Sequence, residues 1–138
     1  MDGISPWRPD LADSEKITIN MSVVDLGKVD LLVSEGFYAN RSDFIRSAIR
    51  RQLDSHAEAV TQSVVRQTMA MGVVVYSRQE LERLQAAGEQ VSCRVVGLLT
   101  IEDDVPPELA AETIESVRVY GVLQASKAVK QALAGRIR

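Results

Sequence analysis

The sequence contains a single cysteine, Cys93, and a single histidine, His56. A disulfide within one chain is therefore excluded, and one chain lacks the donors for a Cys/His zinc site. Cys93 lies in the mostly apolar run "EQVSCRVVG" and reads as a small core hydrophobe rather than a reactive thiol. His56 sits in a polar stretch and reads as an exposed helix residue. No apolar run approaches the roughly 18 to 20 residues of a membrane span. The opening "MDGISPWRPDLADSEK" has no basic segment followed by an apolar one, so no secretory signal is expected and the protein is placed in the cytoplasm. Equally absent are a nucleophile-base pair, a P-loop, and paired carboxylates on a recognisable scaffold. No catalytic residue, metal or cofactor is implied, and the chain is not expected to be an enzyme. The acids of "IEDDVPPE" read as a solvated turn ahead of a helix that starts at proline.

At 138 residues and 15.2 kDa, the chain can form one compact domain or two small ones near the lower limit for a self-sufficient core. Association between copies is expected from size alone. The net charge of -3 argues weakly against nucleic acid until it is divided along the chain. Residues 1–15 hold one base and four acids, whereas 16–51 hold six bases (Lys16, Lys28, Arg41, Arg46, Arg50, Arg51) and four acids. A modest basic excess thus falls on one segment.

That segment is also the most strongly patterned. Residues 1–15 carry two prolines and no periodicity and read as a flexible arm, on which Trp7 is the one large side chain. In "KITINM", Ile17, Ile19 and Met21 fall on one face and Lys16, Thr18 and Asn20 on the other, the signature of a half-buried strand. Ser22 with Asp25 forms a capping-box start for a helix striped by Leu26, Val29, Leu32 and Val33, which Gly36 ends. Asn40 with Asp43 starts a second helix, whose apolar face is Phe44, Ile45, Ala48, Ile49 and Leu53. No glycine or proline interrupts the chain from there to Gly72, so the helix runs on, or breaks once, into a connector over 55–69.

A lone strand ahead of two helices has nothing in its own chain to pair with. The obvious partner is the same segment of a second copy, giving an antiparallel ribbon with Ile17, Ile19 and Met21 of both chains inside. In this order and spacing, "KITINM", a capped helix and "EGFYANRSDFIRSAIR" resemble the ribbon-helix-helix DNA-binding proteins over residues 16–53, which sets a DNA-binding domain at 16–54. The resemblance implies an intertwined β-α-α dimer whose ribbon enters the major groove of double-stranded DNA, with Lys16, Thr18 and Asn20 reading bases. It also implies a phosphate held at the start of the second helix by Asn40, Arg41 and Ser42, with Arg46 as a further contact. The chemistry agrees. A two-stranded ribbon fits the major groove, where lysine donates to guanine, asparagine bonds adenine at two points, and threonine offers a hydroxyl and a methyl. Free N–H groups, a helix dipole and a nearby arginine suit a phosphate.

Residues 70–138 hold an internal repeat: "GVVVYSRQELERL", "GLLTIEDDVPPELAAETI" and "GVLQASKAVKQAL" begin at Gly72, Gly97 and Gly121. Each reads as a glycine at tight strand entry, a short apolar strand, a polar turn and an amphipathic helix, with the apolar run extending upstream of the second and third glycines in "VSCRVV" and "VRVY"; this predicts a C-terminal α/β domain of three β-α repeats with parallel strands. This half is expected to mediate association into a tetramer or larger, or a response to an effector. The sequence therefore predicts a nucleoid-associated transcriptional regulator, a repressor by preference. Two alternatives belong to other classes: an antitoxin that binds a toxin and autoregulates its operon, and a filament-forming partition protein.

Overall fold

The computed structural model describes residues 14–138; Trp7 and most of the predicted arm lie outside the described residues. The chain divides into two compact units, one spanning Lys16–Ser63 and the other built on Val64–Arg138, with Ser14 and Glu15 grouped with the latter.

In the first unit, α1 (Val23–Ser34) starts where the sequence predicts: the Ser22 hydroxyl accepts the Asp25 N–H at 3.1 Å. Gly36, at φ +86°, ends it. The Gly36 N–H donates to the Val33 carbonyl and the Phe37 N–H to the Leu32 carbonyl, a Schellman cap that only a residue comfortable at positive φ allows. α2 (Arg41–Ser55) is capped by the Asn40 side chain, which accepts the Asp43 N–H at 2.8 Å. Asp43 reaches back to the Ala39 N–H at 2.9 Å, one residue earlier than an ideal capping box. The helix breaks once, at the exposed His56, before α3 (Ala57–Arg66).

This unit has almost no interior of its own. Val29 is its one buried hydrophobe, flanked by half-buried Leu26, Leu32 and Val33 along the predicted stripe. Phe44 and Ile45 are half-buried, with Phe44 edge-on to Tyr38 at 5.0 Å, but Ile49 and Leu53 stay exposed. Residues 16–21 pair with no strand of the same chain, and Ile17 and Ile19 are 73% and 60% exposed.

The second unit runs β1 (Ala70–Tyr76), α4 (Arg78–Ala87), β2 (Val91–Ile101), α5 (Pro107–Thr113), β3 (Ile114–Gln124) and α6 (Lys127–Ala132). The strands form one parallel sheet in the order β1-β2-β3. Cys93, Val95, Leu99 and Ile101 of β2 are buried with Leu81 of α4, Leu109 and Ala110 of α5, and Val129 and Leu133 of α6. One sheet face thus carries all three helices, and Cys93 is the core hydrophobe its surroundings predict. The opposite face leaves apolar side chains open among the described residues, with Met71, Val73, Val75 and Tyr120 each about half exposed, and it also carries the exposed Arg94 and Arg118.

The repeat glycines correct the sequence reading. They do not open the strands; they lie inside them, with Gly72 paired to Gly97 and Gly97 to Gly121 in one row across the sheet. Their φ angles, +120°, +134° and +125°, are far from ordinary strand values. Along the row the backbones approach closely: a Cβ on Gly97 would meet the Gly72 carbonyl oxygen, and one on Gly121 the Gly97 carbonyl oxygen. Tyr76 pairs with Ile101 and packs against the core cluster that contains Cys93.

Burial, with help from the neighbouring Cys93 and Glu80, pushes the Tyr76 phenol up to about 12 from its usual 10.0. A raised folded-state value means that the neutral form stabilises the fold fully below about pH 10 and that this contribution is lost as pH rises towards about 12. Alkaline titration followed at the tyrosinate absorbance is expected to show a late step near pH 12, and Tyr76→Phe is expected to remove it.

Candidate nucleic-acid interface

Lys16, Thr18 and Asn20 are all exposed, and the last of them lies two residues before the Ser22 cap that starts α1. Alternation puts Ile17, Ile19 and Met21 on the other side of the segment. Three polar side chains that can donate to or accept from base edges, backed by three hydrophobes that need covering, is the composition of one strand of a groove-binding ribbon.

The first turn of α2 gathers Asn40, Arg41 and Ser42. Asn40 spends its side-chain oxygen on the Asp43 N–H. The N–H groups of Arg41 and Ser42 precede the first intrahelical bond, as at any helix start. Arg41 itself is engaged: its Nε donates to Asp30 Oδ1 and its Nη2 to Oδ2, both at 2.8 Å, in a fork joining α2 to α1. Hydrogen bonds from this guanidinium hold the Asp30 carboxyl below its usual range and raise Arg41 in turn. Both side chains remain about half exposed, so the pair is a positioning device more than a source of stability. Sequence reasoning assigned Arg41 to a phosphate and did not foresee Asp30 as its partner. The eleven-residue separation spans the turn between the two helices, outside any helical spacing rule. Arg46 is exposed on α2.

Asn40, Arg41 and Ser42 thus share one helix start, while Lys16, Thr18 and Asn20 share one face of the segment ahead of α1. Among the described residues, no cluster of three or more His, Cys, Asp or Glu side chains is placed to hold a metal ion, and no helix is long and apolar enough to cross a membrane.

Comparison with known proteins bears on the same segment. The transcriptional regulator CdrS of Halobacterium salinarum is 34% identical over 44 residues, covering 32% of this chain and 80% of that protein. No solved structure matches the chain. A family model described as the ribbon-helix-helix transcriptional regulator family matches residues 12–130, which takes in both compact units. With a match over most of its length and the capped two-helix arrangement behind residues 16–21, the chain belongs to the ribbon-helix-helix transcriptional regulator family.

Proposed function

We propose that the protein is a sequence-specific repressor that binds operator DNA as a dimer, through a ribbon made of residues 16–21 from two copies. One observation carries the reading: the unit Lys16–Ser63 buries a single hydrophobe, Val29, while Ile17, Ile19, Met21, Ile49 and Leu53 stand exposed. A unit of this size without a core does not hold together alone. A second copy supplies the missing half, turning Ile17, Ile19 and Met21 inward and leaving Lys16, Thr18 and Asn20 outward, toward the groove. Asn40, Arg41 and Ser42 then hold a phosphate and fix the register, with Arg46 reaching the backbone beside them.

The open face of the C-terminal sheet extends the same logic. Met71, Val73 and Val75 of β1 and Tyr120 of β3 form an apolar surface that a second copy of the same surface would cover. The ribbon tethers two such sheets at high effective concentration, so a face too weak to associate alone can join dimers into a tetramer. A folded α/β unit is unlike the short tail, disordered until bound, of an antitoxin; this favours the regulator reading over that alternative.

Binding measurements test the assignment of contacts. Thr18→Ala and Asn20→Ala are each expected to cut discrimination between operator and random duplex by about 1–3 kcal/mol, with the dimer intact by sedimentation. Arg41→Ala is expected to weaken binding to every sequence and to reduce the salt slope by about 1. Because Asp30 competes for that guanidinium, Asp30→Asn is expected to act in the opposite direction. Unchanged selectivity in both strand variants would remove the strand from the role of reader.

A further inference from the structure

The C-terminal unit also contains an arrangement that DNA reading by the ribbon leaves unused. Two stretches of the repeat, "SCRVVG" before Gly97 and "SVRVYG" before Gly121, share serine, arginine and valine at the same distances from the glycine. In the sheet they fall in register: Ser92 pairs with Ser116, and Arg94 with Arg118. Adjacent strands therefore set two arginines side by side on the face away from the helices. Like charges so placed are destabilising.

Arg66 and Arg138 join them around a cavity of about 620 Å³, and Glu115 is the one acid among its described lining residues. The segregation is pronounced. Residues 64–138 hold nine bases and nine acids, but four of the bases and one acid line this cavity, leaving five bases and eight acids for the rest of that stretch. Partial relief is present: an Arg94 Nη1 donates to the Gln67 carbonyl at 3.1 Å, and the Arg118 guanidinium lies 5.9 Å from the centre of the Tyr120 ring. Neither neutralises charge. Glu115 is itself engaged by the Ser92 hydroxyl at 3.2 Å. A cleft lined by one sign concentrates counter-ions, and the planar fork of arginine matches carboxylate and phosphate oxygens two at a time. The volume suits a small molecule.

We infer that this cavity is a binding site for a small polyanion carrying at least two phosphate or carboxylate groups, held between Arg94 and Arg118 with Arg66 and Arg138 at its rim. The site stands independently of the DNA reading. Such a ligand neutralises the paired arginines and so strengthens the sheet in which they lie. It offers the regulator a small-molecule input in the unit that does not carry the ribbon.

Calorimetric titration of the full chain with pyrophosphate and, separately, with citrate tests the inference, the two probes distinguishing phosphoryl from carboxylate recognition. Saturable binding of at least one probe is expected. The double substitution Arg94→Gln/Arg118→Gln should lower that affinity by roughly a hundredfold and Arg118→Gln alone by roughly tenfold. Arg83→Gln, on α4 away from the cavity, should leave it unchanged. Because the double variant removes a repulsive pair, its thermal midpoint without ligand should equal or exceed that of the parent, which separates lost binding from lost fold. Heat from neither probe, or equal affinity in parent and double variant, would overturn the inference. So would a double variant that loses operator binding in the absence of any probe, since the arginines would then be DNA contacts. Failure of operator recognition with polyanion binding intact would count against the ribbon reading alone.

Discussion

Replacing Gly97 with alanine should unfold the C-terminal unit under conditions where the parent is stable. An added Cβ at this position lies 2.1 Å from the Gly72 carbonyl oxygen, which is backbone and cannot swing aside. The residue also sits at φ +134°, where side chains are strained whatever the space. Strain and overlap together cost about 2–6 kcal/mol, a large share of the 5–15 kcal/mol that small domains possess. Gly121 is in the same position, since its added Cβ would meet the Gly97 oxygen at 2.0 Å. Gly72 is not. With nothing within 4 Å of its added Cβ, it bears the φ strain alone. Thermal unfolding of the three alanine variants should therefore separate them, Gly97 and Gly121 losing at least about 10 °C and Gly72 clearly less. Equal losses would mean that the glycine row does not make the close backbone approach described above.

The second large effect is expected at Ile19. In the single chain this side chain is 60% exposed, so by that measure alone Ile19→Asp is a benign surface change. In a shared ribbon it places two carboxylates face to face inside the seam. An uncompensated buried charge costs roughly 3–5 kcal/mol per copy, so the dimer should weaken on the order of ten-thousand-fold or more. Sedimentation should show loss of the ribbon dimer, and operator binding should disappear with it. Thr18→Asp, one residue away on the opposite face, should leave the dimer intact while still abolishing DNA binding by repulsion from phosphate. A dimer that survives Ile19→Asp would show that the copies do not meet through this strand.

How far the sequence anticipates the structure differs between the two halves for physical reasons. Caps are local: Ser22 with Asp25, Asn40 with Asp43, and Gly36 at a positive φ appear where their side chains require. The apolar stripe of α1 is legible for the same reason. Burial across the ribbon is not a property of one chain, so the strand expected at 16–21 has no partner within it. In the C-terminal half, the parallel strands and intervening helices follow from the repeat. The strand limits do not, because "TMAM" ahead of Gly72 continues a helical stripe and short apolar runs do not declare their period. Reading each strand from its glycine put the glycine row at an end instead of within the strands. It also left Arg94 and Arg118 on what seemed mere upstream extensions. The shared serine-arginine-valine spacing before Gly97 and Gly121 was the signal available, and its meaning depends on a register that only the sheet supplies. Asp30 beside Arg41 was hidden differently, as a contact across a turn that no periodicity encodes.

The central claim is that a dimeric ribbon reads DNA sequence through Lys16, Thr18 and Asn20. Selection of the full chain against a random duplex pool tests it most directly. Enrichment of a two-fold symmetric pair of half-sites by the parent, lost by Thr18→Ala/Asn20→Ala while non-specific affinity is retained, is the predicted result. A pool that returns no sequence above background, or the same sequence enriched by the strand variant, would contradict it.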